Sequence, residues 1–358
     1  MAIHQEIRFC SSVDGIQLAL AINGAGPHLV KAATWLTHIE RDMECSHTRQ
    51  WIDEISRKHT LVTYDTRGCG LSDRRAADIS LDAWVQDLEA VADTLQIDKF
   101  PLLGISCGAA VAVAYAARHP ERVSQLILFG GYATSYLTTG NLDPKITEEA
   151  ETLLKVAALG WGTGGQAFRQ VFVSKFMPNA TQEQQRDFDE YQRLTATPEM
   201  ATLCLRAMFN INVKEAAKRV RCPTLVFHAR RDQLVLFDQG RKLASLIPGA
   251  RLVPIESDNH VPLVGEACWP TITQEMRVFL GESDSQPDMA ALTSRQAEVL
   301  QRVSQGMTDK QIAKSLLLSP RTVEMHVAGA LKLLKCTTRA EAVHVATRRG
   351  LLATLPLQ

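Results

Sequence analysis

The sequence has 358 residues, no net charge and 46% hydrophobic residues, values that fit a globular protein long enough for two domains. No apolar run approaches the ~20 residues needed to span a bilayer, and the first ten residues lack the basic start and apolar core of a signal peptide. The eight scattered cysteines contain no C-x-x-C pair, which argues against a disulfide framework or a zinc site. We therefore expect a cytoplasmic protein with no membrane contact.

The neutral total hides an uneven distribution of charge. From residue 289 to the end, ten Lys and Arg residues stand against four acidic ones, so this segment carries +6 and the remainder −6. Such a split suggests that the basic part meets a polyanion, although a solvated basic surface is the alternative. The polar segment GESDSQPDMA (281–290) predicts a linker between a first domain (1–280) and a second (291–358).

Apolar runs alternate with helical stretches in the first domain. Helices are predicted at 81–95 and 109–119, between several of the strands. This alternation predicts an α/β domain with a mostly parallel sheet covered on both faces. The runs that predict strands are TLVTYD (60–65), FPLLGIS (100–106), VSQLILFGG (123–131), PTLVFHA (223–229) and ARLVPIES (250–257).

The stretch from about 140 to 218 has few strand signals and much helical periodicity. Because it lies between two sheet strands, we predict a helical cap. Its GWGTGG segment (160–165) lacks the Lys-Ser/Thr ending and the preceding strand of a phosphate loop, so we predict a turn there. We predict neither a cofactor nor a metal site.

A G-x-S-x-G pattern spans 104–108, where a strand ends and a helix begins. In a nucleophile elbow, Ser106 would sit on a tight turn and the helix N-terminus would offer backbone N–H groups to an oxyanion. The alternative is an inert serine in a turn of small residues. The flanking strand and helix favour the elbow.

A nucleophilic serine needs a base, and the base needs an orienting acid, in the chain order Ser, acid, His. Asp232 follows one predicted strand and His260 follows the last one, so both lie where loop residues converge at strand C-termini. Asp258 is too close to His260 in sequence to face it comfortably, and His228 falls within a strand. The order predicts a Ser106–Asp232–His260 triad.

These stretches resemble the α/β-hydrolase superfamily over residues 10–280, through YDTRGCGLSD (64–73), GISCG, ARHPERVSQLILFGG and DNHVPL. The resemblance implies that Ser106 is the nucleophile, His260 the base and Asp232 its orienter. It also implies that the Cys107 N–H forms half of the oxyanion hole. The family's usual His-Gly is absent from KAATWLTHIERD (31–42), where Thr34-Trp35 replaces it and Leu36 is the expected second donor.

The second domain predicts four helices, of which the second and third form a helix-turn-helix. The third helix would enter the major groove through its N-terminal half. A small helical oligomerisation domain is the alternative. The start and stop signals are Thr293 with Gln296, Gly306, Thr308 with Gln311 for a helix over 309–317, Ser319 with Pro320, and Gly350 after a helix over 338–349.

The residues of this domain closely resemble the LuxR-type helix-turn-helix family along its whole length, for example at Leu292, Val299, Ile312, Val323 and Leu334. The resemblance implies binding to double-stranded DNA and places Glu324, Met325 and Ala328 on the base-facing side. Glu324 can accept from cytosine or, alternatively, pair with Arg321. The implied phosphate contacts are Thr308, Lys310, Ser319, Arg321, Thr322, Lys332 and Arg339.

The fourth helix carries a small apolar stripe of Ala342, Val343 and Ala346. By resemblance it would pair two copies as a homodimer, although core packing also explains the stripe. RNA polymerase is a further candidate partner of a LuxR-type regulator.

Together the two domains predict a transcriptional regulator whose hydrolase-like domain senses, and slowly hydrolyses, a small ester- or lactone-like ligand under its cap. Two alternatives remain. One is an active serine esterase or lactonase with a DNA-binding tail. The other is an interaction module with a dead pocket. The α/β-hydrolase superfamily includes receptors, so an intact triad is compatible with the first two functions.

Overall fold

A computed structural model describes residues 4–138, 144–161, 166–282, 292, 294–316, 318–334 and 336–348. The chain divides into two units, Met1–Leu280 and Gly281–Gln358. The greater part of the expected linker, residues 283–290, lies outside the described residues, as do Thr293, Leu317, Lys335 and Gly350. Among the described helices, none is long and apolar enough to cross a membrane.

One eight-stranded sheet organises the first unit, in the order β1-β2-β4-β3-β5-β6-β7-β8. The pairs β1–β2 and β2–β4 are antiparallel and all others are parallel, so the predicted α/β class with a mostly parallel sheet is confirmed. The strands are β1 (Gln5–Ser11), β2 (Gln17–Asn23), β3 (His28–Lys31), β4 (Thr60–Tyr64), β5 (Phe100–Ile105), β6 (Val123–Phe129), β7 (Thr224–Ala229) and β8 (Arg251–Ile255).

Helices cover both faces of this sheet, which is why strands such as β5 and β7 are apolar at nearly every position. Residues of α2 and α3 join one apolar core, and residues of α1 and α10 join the other. The Ser80 side chain accepts a hydrogen bond from the Ala83 N–H and begins α2. The helices are α1 (Ser46–Ile55), α2 (Leu81–Thr94), α3 (Cys107–Arg118), α9 (Phe237–Leu246) and α10 (Trp269–Phe279).

Five helices lie between β6 and β7 and form the cap. A capping box of Thr181 and Gln184 begins α6, and an isolated antiparallel bridge between Thr134 and Asn212 joins the two ends of the insertion. The cap helices are α4 (Pro144–Gly160), α5 (Gln166–Phe176), α6 (Gln182–Thr195), α7 (Pro198–Phe209) and α8 (Lys214–Ala217).

The second unit is helical. Its buried residues include Val299, Ile312, Val323 and Val327, which pack α11 and α12 against α13. Gly306 has φ 77°, a left-handed conformation that ends α11. The helices are α11 (Ser294–Ser304), α12 (Asp309–Leu316), α13 (Pro320–Leu334) and α14 (Arg339–Arg348).

Candidate active site and DNA-contact surface

Ser106 lies on a sharp turn between β5 and α3. Its backbone has φ 55° and ψ −124°, and its N–H donates to the Phe129 carbonyl at 2.9 Å. The flanking glycines have a steric reason. A Cβ at Gly104 would lie 2.6 Å from the backbone of α3, and one at Gly108 would lie 3.0 Å from carbonyl oxygens that follow β3. A strained serine held between two close backbone approaches is the geometry of a nucleophile elbow.

Asp232 and His260 form a fully buried pair. The His260 Nδ1 lies 2.6 Å from Asp232 Oδ2, and the other carboxylate oxygen accepts the N–H groups of Leu234 (2.8 Å) and Val235 (2.9 Å). Burial by itself would raise the pKa of Asp232, but the contacts with His260 and the Val235 N–H outweigh it and hold this pKa below its ordinary value. The carboxylate is therefore ionised and fixed in orientation.

The imidazole of His260 lies at the end of β6, beside the elbow. A Cβ at Gly130 would come within 2.9 Å of His260 Cε1, so the glycine makes room for the ring. The His260 Nε2 is buried and forms no hydrogen bond in the described part of the chain, including none to Ser106. With Nδ1 bound to Asp232, this open nitrogen is the one able to accept a proton. Catalytic hydrogen bonds of this kind often tighten only when substrate binds.

The cap holds the loop that carries His260. The His260 N–H donates to the Phe176 carbonyl at 2.8 Å, and the Phe176 ring meets the imidazole edge-on at 5.3 Å between centroids. The Asn179 N–H also donates to the Asn259 side chain at 3.1 Å. Asp258 instead binds Arg231 and the Asn179 side chain, and it makes no hydrogen bond to His260. The end of α5 therefore positions the imidazole.

His228 is a second histidine beside this pair. It lies in β7, donates through Nε2 to the Val235 carbonyl at 2.7 Å, and is 3.6 Å from Asp232 Oδ2. Burial, foremost, lowers its pKa. A neutral His228 that holds the backbone of the Asp232 loop supports the carboxylate without facing Ser106.

Cys107 and Leu36 are the predicted oxyanion donors. Cys107 is the first residue of α3, and Leu36 is buried and lines a cavity together with Ser106. The Cys107 thiol lies 3.4 Å from the Thr34 hydroxyl and receives the Trp35 N–H. Burial raises the pKa of this thiol to about 11, so it stays neutral and anchors the 34–36 segment to the elbow.

Sequence reasoning missed two buried charged residues in the YDTRGCGLSD stretch. Asp65 accepts the N–H groups of Ile39 (2.9 Å) and Leu71 (2.7 Å), and burial raises its pKa to about 7. Arg67 binds Asp87 through two bonds of 2.8 and 2.7 Å, and Asp14 at 2.7 Å. Their position directly after an apolar strand was the available signal. These residues hold the loops around the site.

Two cavities meet at the elbow. The larger has a volume of about 360 Å³, lies between the sheet and the cap, and is mostly apolar. The smaller has a volume of about 90 Å³ and shares the lining residues Trp35 and Phe176 with the larger one. Ser106 lines both. The larger cavity is also lined by Tyr132, Leu153, Phe172, Leu205, Phe209 and Leu234. A serine, an oriented imidazole and an apolar chamber suit attack on a carbonyl of a small organic molecule.

In the second unit, α13 presents the predicted base-facing residues to the outside. Glu324, Met325 and Ala328 are exposed. The exposed fraction of the Met325 side chain, 68%, is high for an apolar residue. Lys310, Lys332 and Arg321 are exposed as well. The alternative ion pair between Arg321 and Glu324 is not formed in the part of this helix that the structure describes.

Four further predicted DNA contacts have partners within the domain. The Thr308 hydroxyl donates to Gln311 at 2.9 Å, and the hydroxyls of Ser319 and Thr322 lie 2.7 Å apart at the start of α13. These bonds lie at the N-terminal ends of α12 and α13, where the first backbone N–H groups of a helix have no partner within the helix. Arg339 differs, because both of its terminal nitrogens bind the Asp309 carboxylate, at 2.5 and 2.8 Å. The fork that would grip a phosphate is thus already occupied.

The stripe on α14 is largely internal. Ala342 and Ala346 are fully buried in a cluster with Leu300, Ala330 and Leu334. Core packing therefore explains these two residues, and of the stripe only Val343 is partly exposed. No pairing of two copies needs to be invoked for them.

A serine elbow and a buried Asp–His pair at the C-terminal edge of a mixed sheet, under an inserted helical cap, define an α/β-hydrolase, here followed by a helix-turn-helix unit. Residues 55–255 match the family model described as "Serine aminopeptidase, S33", and the chain belongs to this α/β-hydrolase family. Residues 290–346 match "Bacterial regulatory proteins, luxR family", and form a LuxR-type DNA-binding domain.

Curated relatives of the chain include hydrolases. The 2-hydroxymuconate semialdehyde hydrolase of Pseudomonas sp. strain CF600 is 26% identical over 76% of this chain and 89% of its own length. The 2-hydroxy-6-oxo-2,4-heptadienoate hydrolase of Pseudomonas putida strain F1 is 24% identical over 64% and 78%. These likenesses lie in the hydrolase part.

Solved structures share the fold of this part. An esterase from Exiguobacterium antarcticum superposes with a TM-score of 0.66 at 21% identity, covering 76% of this chain and 98% of the esterase. An enol-lactonase from Burkholderia xenovorans LB400 gives 0.63 at 21%, covering 76% of this chain and all of the lactonase.

Proposed function

We propose that the chain is a DNA-binding transcriptional regulator whose hydrolase domain senses a small ester- or lactone-like ligand and hydrolyses it slowly. One observation carries the proposal: a single chain holds both an assembled Asp232–His260 pair beside Ser106 and a LuxR-type domain whose α13 exposes the residues predicted to face the bases. Hydrolysis of the ligand does not by itself require the second feature.

In the proposed reaction, His260 Nε2 takes the Ser106 proton as the hydroxyl attacks the ligand carbonyl. Asp232 stabilises the imidazolium that forms, and the N–H groups of Cys107 and Leu36 receive the oxyanion. Water then releases the acyl group by the same steps. The missing His-Gly segment is the reason to expect slow turnover, because a Leu36 N–H that the different backbone segment holds away from the oxyanion would forfeit up to ~3–4 kcal/mol of transition-state stabilisation, the cost of losing one donor.

Ligand in the larger cavity changes the affinity of the protein for DNA in this proposal. Such coupling needs a ligand that binds two states of the protein with different affinity. A cytoplasmic homodimer on a two-fold DNA site, in contact with RNA polymerase, is the arrangement we infer from the LuxR-type domain. Glu324, Met325 and Ala328 would face the bases.

The second candidate is an active esterase or lactonase whose DNA-binding tail sets its location or expression. The observation in its favour is that both carboxylate oxygens of Asp232 form hydrogen bonds, one of them to His260 Nδ1. This bond orients the imidazole, and its Nε2 remains free to accept a proton. The two functions differ in one respect. A regulator changes its DNA affinity when ligand binds, whether or not turnover follows.

The first experiment is mass spectrometry of the intact protein after reaction with a fluorophosphonate, with Ser106→Ala as control. An adduct that is absent from the variant supports the assembled hydrolase site. No adduct on the folded wild type would contradict the hydrolytic part and leave a binding sensor.

The second experiment tests the DNA-binding surface. We expect the double variant Arg321→Ala/Thr322→Ala to bind selected duplex DNA less tightly while its fluorophosphonate labelling is unchanged. The control Arg241→Ala removes an exposed arginine that pairs with Asp238 in α9, and should alter neither property. Unchanged DNA binding by the double variant would show that the contacts on α13 are wrongly assigned.

A further inference from the structure

A lysine interrupts the apolar centre of the sheet. Lys31 is the last residue of β3, which lies between β4 and β5 and is the fourth strand from one edge of the eight-stranded sheet. It pairs with Leu103 on one side, and on the other side the register places it beside the buried Thr63. Lysine is among the residues least often found inside a protein, so its presence in the middle of the sheet needs an explanation.

Lys31 lines the smaller cavity, together with Ser106. Its charge acts on two other residues that line the same cavity. The pKa of His47 is lowered to about 4, first by burial and then by the Lys31 charge. Burial raises the pKa of Asp42, and the Lys31 charge is the largest opposing effect. Both effects place the Lys31 charge within electrostatic range of the residues that line this cavity.

The described residues give this ammonium no partner. Lys31 forms neither an ion pair nor a side-chain hydrogen bond in the part of the chain that the structure describes, and Asp42 is instead bound by the Tyr191 hydroxyl at 2.9 Å. His47, with its lowered pKa, is neutral at pH 7, so Lys31 is the one cation that lines the described cavity. Lys31 is half-buried at the wall of a mostly apolar cavity, and an ammonium group there without an ion pair is stabilised by a counter-ion.

We propose that the smaller cavity is a subsite for a carboxylate of the ligand, held by Lys31. This inference rests on the proposed function, in which the ligand carbonyl lies at Ser106. One ammonium group matches the single charge of a carboxylate, whereas a phosphate dianion would require more donors than one lysine and a few hydroxyls. A neutral polar group would leave the charge uncompensated.

The proposal defines a class of ligand. Ser106, Trp35 and Phe176 line both cavities, so a molecule whose carbonyl reaches Ser106 can extend in two directions. The carboxylate, on a short spacer from the carbonyl, occupies the volume of about 90 Å³ and the apolar body fills the volume of about 360 Å³. The ligand is thus an anionic acid with an apolar end, not a neutral ester.

The test compares two probes that differ only in charge, 4-phenylbutyrate and 4-phenylbutyramide, by isothermal titration of the full-length protein. We expect the acid to bind about tenfold tighter than the amide, the effect of one charge-assisted hydrogen bond. Lys31→Met should remove this preference and Lys31→Arg should retain part of it. The control Lys218→Met replaces an exposed lysine paired with Glu215 and should keep the wild-type ratio.

Equal binding of the two probes to the wild type would overturn the proposal without recourse to any variant, so a misfolded Lys31→Met would not leave it undecided. A preference for the acid that survives in folded Lys31→Met would overturn it too. The titration is repeated on Ser106→Ala, where no turnover is possible. A carboxylate preference there, combined with no fluorophosphonate adduct on the wild type, would reject hydrolysis while it supports the subsite.

Discussion

Replacing Asp232 by asparagine tests whether the buried pair governs the reactivity of Ser106. The carboxylate Oδ1 accepts two backbone N–H groups, from Leu234 and Val235. In the variant, the amide oxygen must keep that place, because an NH₂ group there would oppose both donors. The amide NH₂ group then faces His260 Nδ1 across the present 2.6 Å contact and donates to it.

The expected magnitude follows from this reversed hydrogen bond. The proton of the neutral imidazole moves to Nε2, which can then no longer accept the Ser106 proton. In serine hydrolases the same substitution lowers the rate about 10⁴-fold, through the wrong tautomer. A factor of this size corresponds to about 5.5 kcal/mol of activation free energy. Because both side chains are fully buried, bulk water cannot reach His260 Nδ1 and replace the carboxylate as its acceptor.

The assay is the rate of fluorophosphonate labelling of Ser106, followed by intact-protein mass spectrometry. Asp258→Asn is the matched control, since Asp258 is two residues from His260 but binds Arg231 and Asn179. It should label at the wild-type rate. Labelling of Asp232→Asn within about tenfold of the wild type, far short of the loss expected for a wrong tautomer, would refute the assignment of Asp232 as the orienting acid.

Three further predictions concern stability and DNA binding. Arg67→Met leaves Asp87 buried without its partner and should cost about 3–5 kcal/mol of the free energy of unfolding in urea, part of which the added change Asp87→Leu restores. The pKa of Asp232 is lower in the folded than in the unfolded protein. The ionised carboxylate therefore contributes to the free energy of unfolding above pH about 4, and this contribution is lost as the pH falls through the folded pKa. Acid unfolding of Asp232→Asn should lack this loss. Asp309→Asn releases Arg339 for a phosphate and should steepen the slope of log affinity against log salt by about 1.

The fold class could be predicted because buried parallel strands are apolar at nearly every position and are separated by helices of clear period. The runs at 60–65 and 100–106 correspond to β4 (Thr60–Tyr64) and β5 (Phe100–Ile105). The strands β1, β2 and the four-residue β3 were not predicted, and the first two of these share one feature. They form the antiparallel edge of the sheet, where β1 alternates exposed and partly buried residues and lacks an apolar run.

The site could be predicted only in part, because its chain order is visible in sequence and its packing is not. The spacing of Ser106, Asp232 and His260 led to residues that the fold brings to one edge of the sheet. Lys31 gave no such signal, since a lysine at a strand end is normally a solvated residue. Arg339 was expected at a phosphate, and only the structure reveals its bond to Asp309, which joins the start of α14 to the start of α12.

The contacts between the cap and the His260 loop bear on whether sensing and hydrolysis are separate properties. Phe176 lines both cavities, accepts the His260 N–H and packs against the imidazole ring. A ligand that displaces Phe176 therefore acts on the catalytic base through a backbone hydrogen bond as well as through the ring. Because Phe176 makes both contacts, the proposed function predicts that ligand occupancy and the position of His260 are coupled. Under the proposed function, a ligand that binds best with Phe176 displaced would be turned over slowly, which is the behaviour we expect if the chain is a sensor that retains the hydrolase site.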